Sequence, residues 1–316
     1  MTDAKQQRNN PAPSIEVIIN AESGASDQEA ARRQMAELFG ASGIEVRISL
    51  ARSGEELLDL ARRAAGGEAA TIIAGGGDGT INAVASTLID TDKTLGILPL
   101  GTLNHFAKDL KIPLDLEGAA QTIIADYSVR VDVGEVNGRV FLNNSSLGLY
   151  PSIVHQREQK QKLGHGKWPA LIWAALSVMR RYPFLDVRLN ADGKEFSSRT
   201  PFVFIGNNEY DMEGFNIGGR NRLDAGQLSL YFSHRTGRAG LLGLGLRALL
   251  KRLPKAGDFV AMCTTEVSIK TPRKRIRVST DGEVTVMKPP LHYRVRPGAL
   301  RVHVPAPGLA GDEVKA

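Results

Sequence analysis

Residues 75–80, Gly-Gly-Gly-Asp-Gly-Thr, set one carboxylate inside a run of glycines and close it with a hydroxyl. Glycines let a backbone turn tightly and come close to a bound group. Just before them, Thr71 to Ala74 is a short apolar run of the kind that makes a buried parallel strand. Just after them, Ile81, Val84, Ala85 and Leu88 fall at helical spacing. A helix that starts at such a loop aims its unpaired N–H groups and the positive end of its dipole at an anion. Asp78 is out of place there unless a cation accompanies the anion, and Mg²⁺ on a nucleotide is the usual one. Glycine turns between strand and helix are common, so glycine content alone also fits a plain turn. No G-x-x-x-x-G-K-[ST] occurs, so this is not a Walker A loop.

The elements around this loop predict how it is held. Residues 15–19 read as a first strand, followed by the polar loop Asn20 to Gly24. Residues 27–42 read as a helix and 44–50 as a strand. Ser53 with Glu56 three positions on forms a capping-box pattern for a helix over 54–65. After the glycine loop come a strand at 95–99, a loop at Leu100-Gly101-Thr102 and a helix from about Asn104. This alternation predicts a parallel, doubly wound α/β sheet. The three loops lie at the carboxyl ends of its strands, where such sheets bind ligands. Beyond about residue 130 the pattern changes. Segments 131–136, 139–143, 184–190, 200–206, 228–233, 265–270, 274–279 and 283–287 are strand-like. Helical stretches near 167–182 and 237–253 interrupt them, which predicts an antiparallel β-sandwich with inserted helices.

The chain of 316 residues, 42% apolar, suits two domains with substantial cores. A single cysteine, Cys263, excludes a disulfide scaffold and any Cys-based zinc site, and reads as a small buried residue. The polar start MTDAKQQRNNPAPS is not a secretory signal, and the longest apolar stretch, Trp168 to Met179, is too short to span a bilayer. A cytoplasmic location is expected. Charge is lopsided: residues 1–150 carry 13 Lys/Arg against 20 Asp/Glu, and residues 151–316 carry 27 against 14. A basic half suggests an anionic partner, either membrane or nucleic acid.

Four blocks bear a family resemblance. NAESG at 20–24 resembles N-P-x-S-G, and GGGDGT at 75–80 is complete. PLGTLNHFAKDLKIP at 99–113 resembles P-x-G-T-x-N-D-F-A-R-x-L-x-I-P, and TDGE at 280–283 resembles V-D-G-E. In order and spacing the chain resembles, over residues 15–305, the soluble bacterial diacylglycerol/lipid kinases, relatives of sphingosine and ceramide kinases. The resemblance implies an N-terminal α/β nucleotide domain, a C-terminal β-sandwich, a chain end that returns to the first domain, and an active site in the cleft between them. The limits expected are 14–130 with a return at about 297–306, then 131–296, with disordered tails at 1–13 and 307–316.

The resemblance implies that Asn20, Gly76, Gly77, Asp78, Gly79, Thr80, Gly101, Thr102 and Asn104 hold ATP, with Asp78 also holding Mg²⁺. Thr80 also fits a helix cap, and Gly75 and Gly76 fit a turn. It implies that Glu283 is the general base for the acceptor hydroxyl. Taken alone, Asp281-Gly282-Glu283 between two strands reads as an ordinary hairpin turn. Two departures fall in one network. Family members with a structural Mg²⁺ carry D-D-G or N-D-G where this chain has Asp224-Ala225-Gly226, and Asp where it has His105. That site is therefore expected to be lost or rebuilt, with Asp224 as a remaining candidate ligand, and His105 as a phosphate contact or merely the opening of a helix.

Residues 234–256 interleave Arg247, Lys251 and Arg252 with leucines, and Lys167 stands near Trp168 and Trp173. Both stretches read as membrane-facing, or as helices packed on the sandwich with a solvated basic face. Lys270 to Val278 is a further basic stretch, suited to lipid phosphate or to guarding a sheet edge. The reading that results is an ATP- and Mg²⁺-dependent lipid kinase, peripheral to the inner face of the membrane. Diacylglycerol is the simplest acceptor, and ceramide or a sphingoid base the alternative. An anionic membrane surface is the expected partner, with a homodimer open and nucleic acid not expected, since no RNA- or DNA-binding motif is visible. NAD kinase shares the glycine loop, and Asn207-Asn208-Glu209 resembles its Asn-Glu motif. A non-catalytic nucleotide or lipid sensor is the third reading.

Overall fold

The computed structural model describes residues 15–21, 28–148, 184–210, 212–213, 216–217, 219–233 and 259–307. The chain divides into two units, Met1–Val129 with Leu300–Ala316, and Arg130–Ala299.

The first unit alternates strand and helix. Its elements are β1 (Ile15–Asn20), α1 (Gln28–Ala41), β2 (Val46–Ala51), α2 (Gly54–Ala65), β3 (Thr71–Gly76), α3 (Asp78–Leu88), β4 (Thr94–Pro99), α4 (His105–Asp109) and α5 (Leu116–Ile124). The strands are parallel in the order β2-β1-β3-β4. Every residue of β3 and β4 is buried, as a central parallel strand covered on both faces requires. The Ser53 hydroxyl accepts the Glu56 N–H, while the Glu56 carboxylate accepts the Arg52 N–H at 2.8 Å, so α2 starts where its capping pattern lies. In α3 the helically spaced Ile81, Val84, Ala85 and Leu88 are all buried.

The strands that follow are β5 (Ser128–Val136), β6 (Arg139–Phe141), β7 (Asn144–Gly148), β8 (Leu185–Ala191), β9 (Lys194–Thr200), β10 (Phe202–Asn207), β11 (Met212–Glu213), β12 (Asn216–Ile217), β13 (Leu228–Ser233), β14 (Phe259–Thr264), β15 (Glu266–Lys270), β16 (Ile276–Thr280), β17 (Glu283–Met287) and β18 (Leu291–His303). Within the second unit one antiparallel sheet runs β14-β13-β10-β7-β16-β17. Another places β18, β15, β8 and β9 side by side, with β5 beside β18 and β6. Inward residues from both sheets, among them Leu147, Val187, Ile205, Leu230, Val278 and Tyr293, form one core. This is the sandwich that the strand pattern predicts. The last residues of β18 belong to the first unit. Arg301 and Val302 pair in parallel with Thr94 and Leu95 of β4, and buried His303 meets the Thr71 hydroxyl at 3.1 Å.

Two expectations need correction. Cys263 is exposed, not buried, because β14 is the sheet's edge strand and Cys263 falls on its outward face. Helix α5 and strands β7, β9, β14 and β18 stand where the sequence pattern gave no clear signal. The helical stretches 167–182 and 237–253, and the tails 1–13 and 308–316, lie outside the described residues. Among the described residues, no helix is long and apolar enough to cross a membrane.

Candidate active site

In the first unit the carboxyl ends of β1, β3 and β4 bring the expected loop residues together. Asn20, the last residue of β1, donates its side-chain N–H to the Thr80 hydroxyl at 3.2 Å. Thr80 is buried, so its hydroxyl ties α3 to β1, and it is not the cap of its own helix. The cap position is Gly77, in extended conformation and without a side-chain cap bond. The first-turn N–H groups of α3 thus have no local acceptor supplied by a cap, the arrangement that suits an anion.

The glycines are there for closeness. A Cβ on Gly76 would fall 2.5 Å from the Thr80 Oγ1, and one on Gly101 would run into the Gly77 Cα. The glycine loop and the Gly101 loop therefore meet backbone to backbone. Asn104 holds the second loop in shape. It adopts a left-handed conformation, φ 51°, tolerated by Asn, and donates to the carbonyls of Pro99 at 3.1 Å and Gly101 at 2.9 Å. Its Oδ1 is buried with no protein partner. Gly79, in the first turn of α3, and Thr102, in the Gly101 loop, are exposed. The half-buried Asp78 carboxylate accepts the Phe106 N–H at 3.2 Å through Oδ1. A carboxylate at the start of α3 is the kind of group that could hold an Mg²⁺ carried by a nucleotide. His105 is the first residue of α4.

In the second unit, Asp281 and Gly282 both have positive φ, 47° and 87°, and form the two-residue turn between β16 and β17. The hairpin reading is thus correct, and the turn does more besides. The Asp281 carboxylate points inward and accepts three successive backbone N–H groups, from Leu142, Asn143 and Asn144, at 2.7–2.9 Å. Burial pushes its acid up to about 6, opposed by those three bonds and by the nearby Arg220 charge. Glu283 opens β17 with an exposed side chain, and Arg139 Nη2 donates to its Oε2 at 2.5 Å. Arg139 is itself oriented by its Nε bond to the Thr280 hydroxyl at 2.9 Å.

A buried guanidinium lies behind this turn. Arg220 donates to the carbonyls of Leu142 and Asn207 and to Asn143 Oδ1, at 2.7–3.0 Å, and stacks over Tyr210. The loop at 222–226 is pinned beside it: Asn208 Oδ1 accepts the Ala225 N–H, and Asp132 accepts the N–H groups of Gly226 and Gly298. Asp224 joins no ligand set. Its carboxylate is exposed and pairs with Arg222 at 3.1 Å. Among the described residues no three His, Cys, Asp or Glu side chains converge as a metal would need. Asn207 and Asn208 are fully buried in the same network.

Arg139, Arg220 and Asp132 were not singled out by the sequence, and Asp281 only as part of the turn before Glu283. Only Asp281 had a sequence signal, its position inside TDGE. Lys167, Trp168, Trp173, Arg247, Lys251 and Arg252 lie outside the described residues.

Residues 14–136 match the diacylglycerol kinase catalytic domain, and residues 150–304 match the YegS C-terminal NAD kinase beta sandwich-like domain. Diacylglycerol kinases of Staphylococcus aureus strains Newman and NCTC 8325 are each 31% identical over 173 residues, 54% of this chain and 54% of theirs. The chain thus spans about half the length of the curated relatives it matches. A crystal structure of a diacylglycerol kinase from Bacillus anthracis str. Sterne superposes with TM-score 0.68 at 20% identity, over 94% of this chain and 98% of that one. Another structure from the same organism reaches TM-score 0.73 at 23% identity with the same coverage. At these identities the likeness is one of fold.

Proposed function

From the match of residues 14–136 to the diacylglycerol kinase catalytic domain and of residues 150–304 to the YegS C-terminal domain, we propose an ATP-dependent lipid kinase. Diacylglycerol is the acceptor that the named relatives favour, with phosphatidic acid as product. The observation that carries the proposal is the pair of glycine loops closed backbone to backbone, with Asp78 among them and an uncapped helix behind.

In this reading the loop N–H groups of residues 77–80, with Thr102 and Asn20 beside them, hold the nucleotide phosphates. Asp78 holds Mg²⁺, which when bound supplies positive charge to the phosphate oxygens. Glu283 takes the proton of the acceptor hydroxyl. The hydroxyl oxygen bonds to the γ-phosphorus, the β–γ bridging bond breaks, and ADP leaves with the electron pair. Arg139 fixes the direction of the Glu283 carboxylate, and Asp281 fixes the turn that presents it. Such an enzyme must meet its lipid at a membrane surface, and the basic second half of the chain supports that partner.

The test is transfer of labelled γ-phosphate from ATP in mixed micelles. The panel is diacylglycerol, monoacylglycerol, ceramide, sphingosine and NAD, with Asp78→Ala and Glu283→Gln beside the wild type. Labelling of one lipid, lost in both variants, is expected. Labelling of NAD alone, or of nothing by a protein that binds ATP, overturns the reading.

A further inference from the structure

Among the described residues strand β17 is the edge of its sheet, and its partner β16 is reached through the Asp281-Gly282 turn. Side chains alternate along a strand, so Val284 and Val286 share one face. Both are exposed, at 47% and 59%. Arg277 lies directly opposite Val286 in the register. Arg273, Lys274 and Arg275 just before β16, and Lys288 just after β17, are exposed as well. Among the described residues none of these five cations is paired with a carboxylate. The hairpin has two acids of its own. Asp281 turns its carboxylate inward, and Glu283 is engaged by Arg139.

Charges on an edge strand ordinarily guard it against pairing with another strand. Guarding explains the cations but not two neighbouring valines left in water on the same face. Apolar side chains ringed by cations instead fit an interface where apolar groups enter the acyl boundary and cations meet phosphates. We propose that the β16–β17 hairpin is the surface by which this protein docks onto an anionic lipid bilayer. The proposal deepens, and rests on, the lipid kinase reading. Glu283 begins the very strand that carries the valines, roughly 10 Å from Val286 along the chain. By the same alternation Glu283 lies on the strand's other face, turned toward Arg139, so docking holds the strand that carries the candidate base at the bilayer surface.

Vesicle co-sedimentation of the full chain tests it, with phosphatidylcholine vesicles against vesicles that also contain phosphatidylserine. Each cation within the surface field is worth about a fivefold change in partition. The wild type is expected to bind only the anionic vesicles, less so at high salt, and Glu283→Gln to bind equally well. The triple variant Arg275→Gln, Arg277→Gln, Lys288→Gln should lose on the order of a hundredfold. Val284→Thr with Val286→Thr should lose roughly tenfold or more, with little change in salt dependence. A charge-matched control, Arg188→Gln, Lys194→Gln, Arg199→Gln on β8 and β9, should bind like the wild type. All these positions are exposed, and circular dichroism checks that each variant is folded.

The proposal falls if the wild type ignores anionic vesicles, or if the control loses as much as the hairpin triple. It also falls if the hairpin variants turn a dimer into a monomer in sedimentation velocity while vesicle binding stays unchanged, since the face is then an interface between copies. Transfer to diacylglycerol in neutral detergent micelles is measured separately. A wild type that binds vesicles through the hairpin but phosphorylates no lipid keeps the docking surface and removes the kinase reading.

Discussion

Arg139 reaches across from β6 to hold the carboxylate of Glu283, and it is itself held by the Thr280 hydroxyl on the strand before the turn. The candidate base is thus aimed by an arginine from another strand, which is anchored to the base's own hairpin. Arg139→Ala should lower kcat by about 10- to 100-fold, the scale of losing an oriented base, while KM for ATP stays near wild type. Arg139→Lys should recover little of this, because one ammonium cannot serve Thr280 and Glu283 at once in the fixed guanidinium geometry. Steady-state kinetics on the phosphorylated lipid decides it. Equal changes in kcat and KM for ATP would point to a general loss of structure instead.

Arg220 is a permanent internal cation for the second unit. Arg220→Leu removes the guanidinium donor from the Asn207 carbonyl and the Asn143 amide oxygen, and leaves the Leu142 carbonyl with the Asn207 side-chain amide. The expected loss is about 3 kcal/mol in urea unfolding, with Arg220→Lys only partly restoring it. EDTA should leave the urea midpoint of the nucleotide-free wild type unchanged, since Asp224 is exposed and paired with Arg222 and Ala225 offers no carboxylate. A midpoint that falls with EDTA contradicts this account.

The Asp281 acid is raised from its ordinary value to about 6 by burial. A carboxyl whose folded value is raised binds its proton more readily in the fold than in the unfolded chain. Its contribution to stability is therefore complete below about pH 4 and is lost as pH rises through about 6. Compared with Asp281→Asn, which does not titrate, the wild type should lose up to about 3 kcal/mol between pH 4 and pH 7. Urea midpoints of both proteins across that window measure it. Parallel curves would show that the three N–H bonds outweigh burial.

Gly101→Ala forces apart the two loops that meet at Gly77. It should cost about 1–3 kcal/mol of stability and weaken ATP binding measured by calorimetry. Gly54→Ala, at an exposed helix start with nothing within 4 Å of the new methyl, should leave both unchanged or slightly raise stability.

The first unit was largely legible because its strands are apolar runs bounded by glycine or polar loops, and its helices carry regular apolar spacing. The capping pair Ser53 and Glu56 even fixes where α2 begins. β7 was not legible. Its sequence Asn-Ser-Ser-Leu-Gly has low strand preference, yet it lies between β10 and β16. The fold overrides preference there by giving the hydroxyls partners: Ser145 donates to the Ser279 carbonyl and meets Tyr293. Of the candidate site, the glycine loops and Glu283 could be named because each has a local pattern. Arg139 and Arg220 could not, since the partners of the first lie 141 positions or more away and those of the second 13, 77 and 78. An isolated arginine carries no local sign of such a role.

The parallel pairing of Arg301 and Val302 with β4 sets an order of events in biosynthesis. When β4 leaves the ribosome its outer edge has no neighbour, and the strand that covers it is made about 200 residues later, on the order of ten seconds or more at ordinary elongation rates. Throughout that interval the nascent first unit shows an open parallel edge, and the Thr71 hydroxyl waits for His303. The first unit is thus the earliest to be synthesised but cannot be the first to be completed. A newborn chain of this kind depends on whatever shields an unfinished sheet until its last strand arrives.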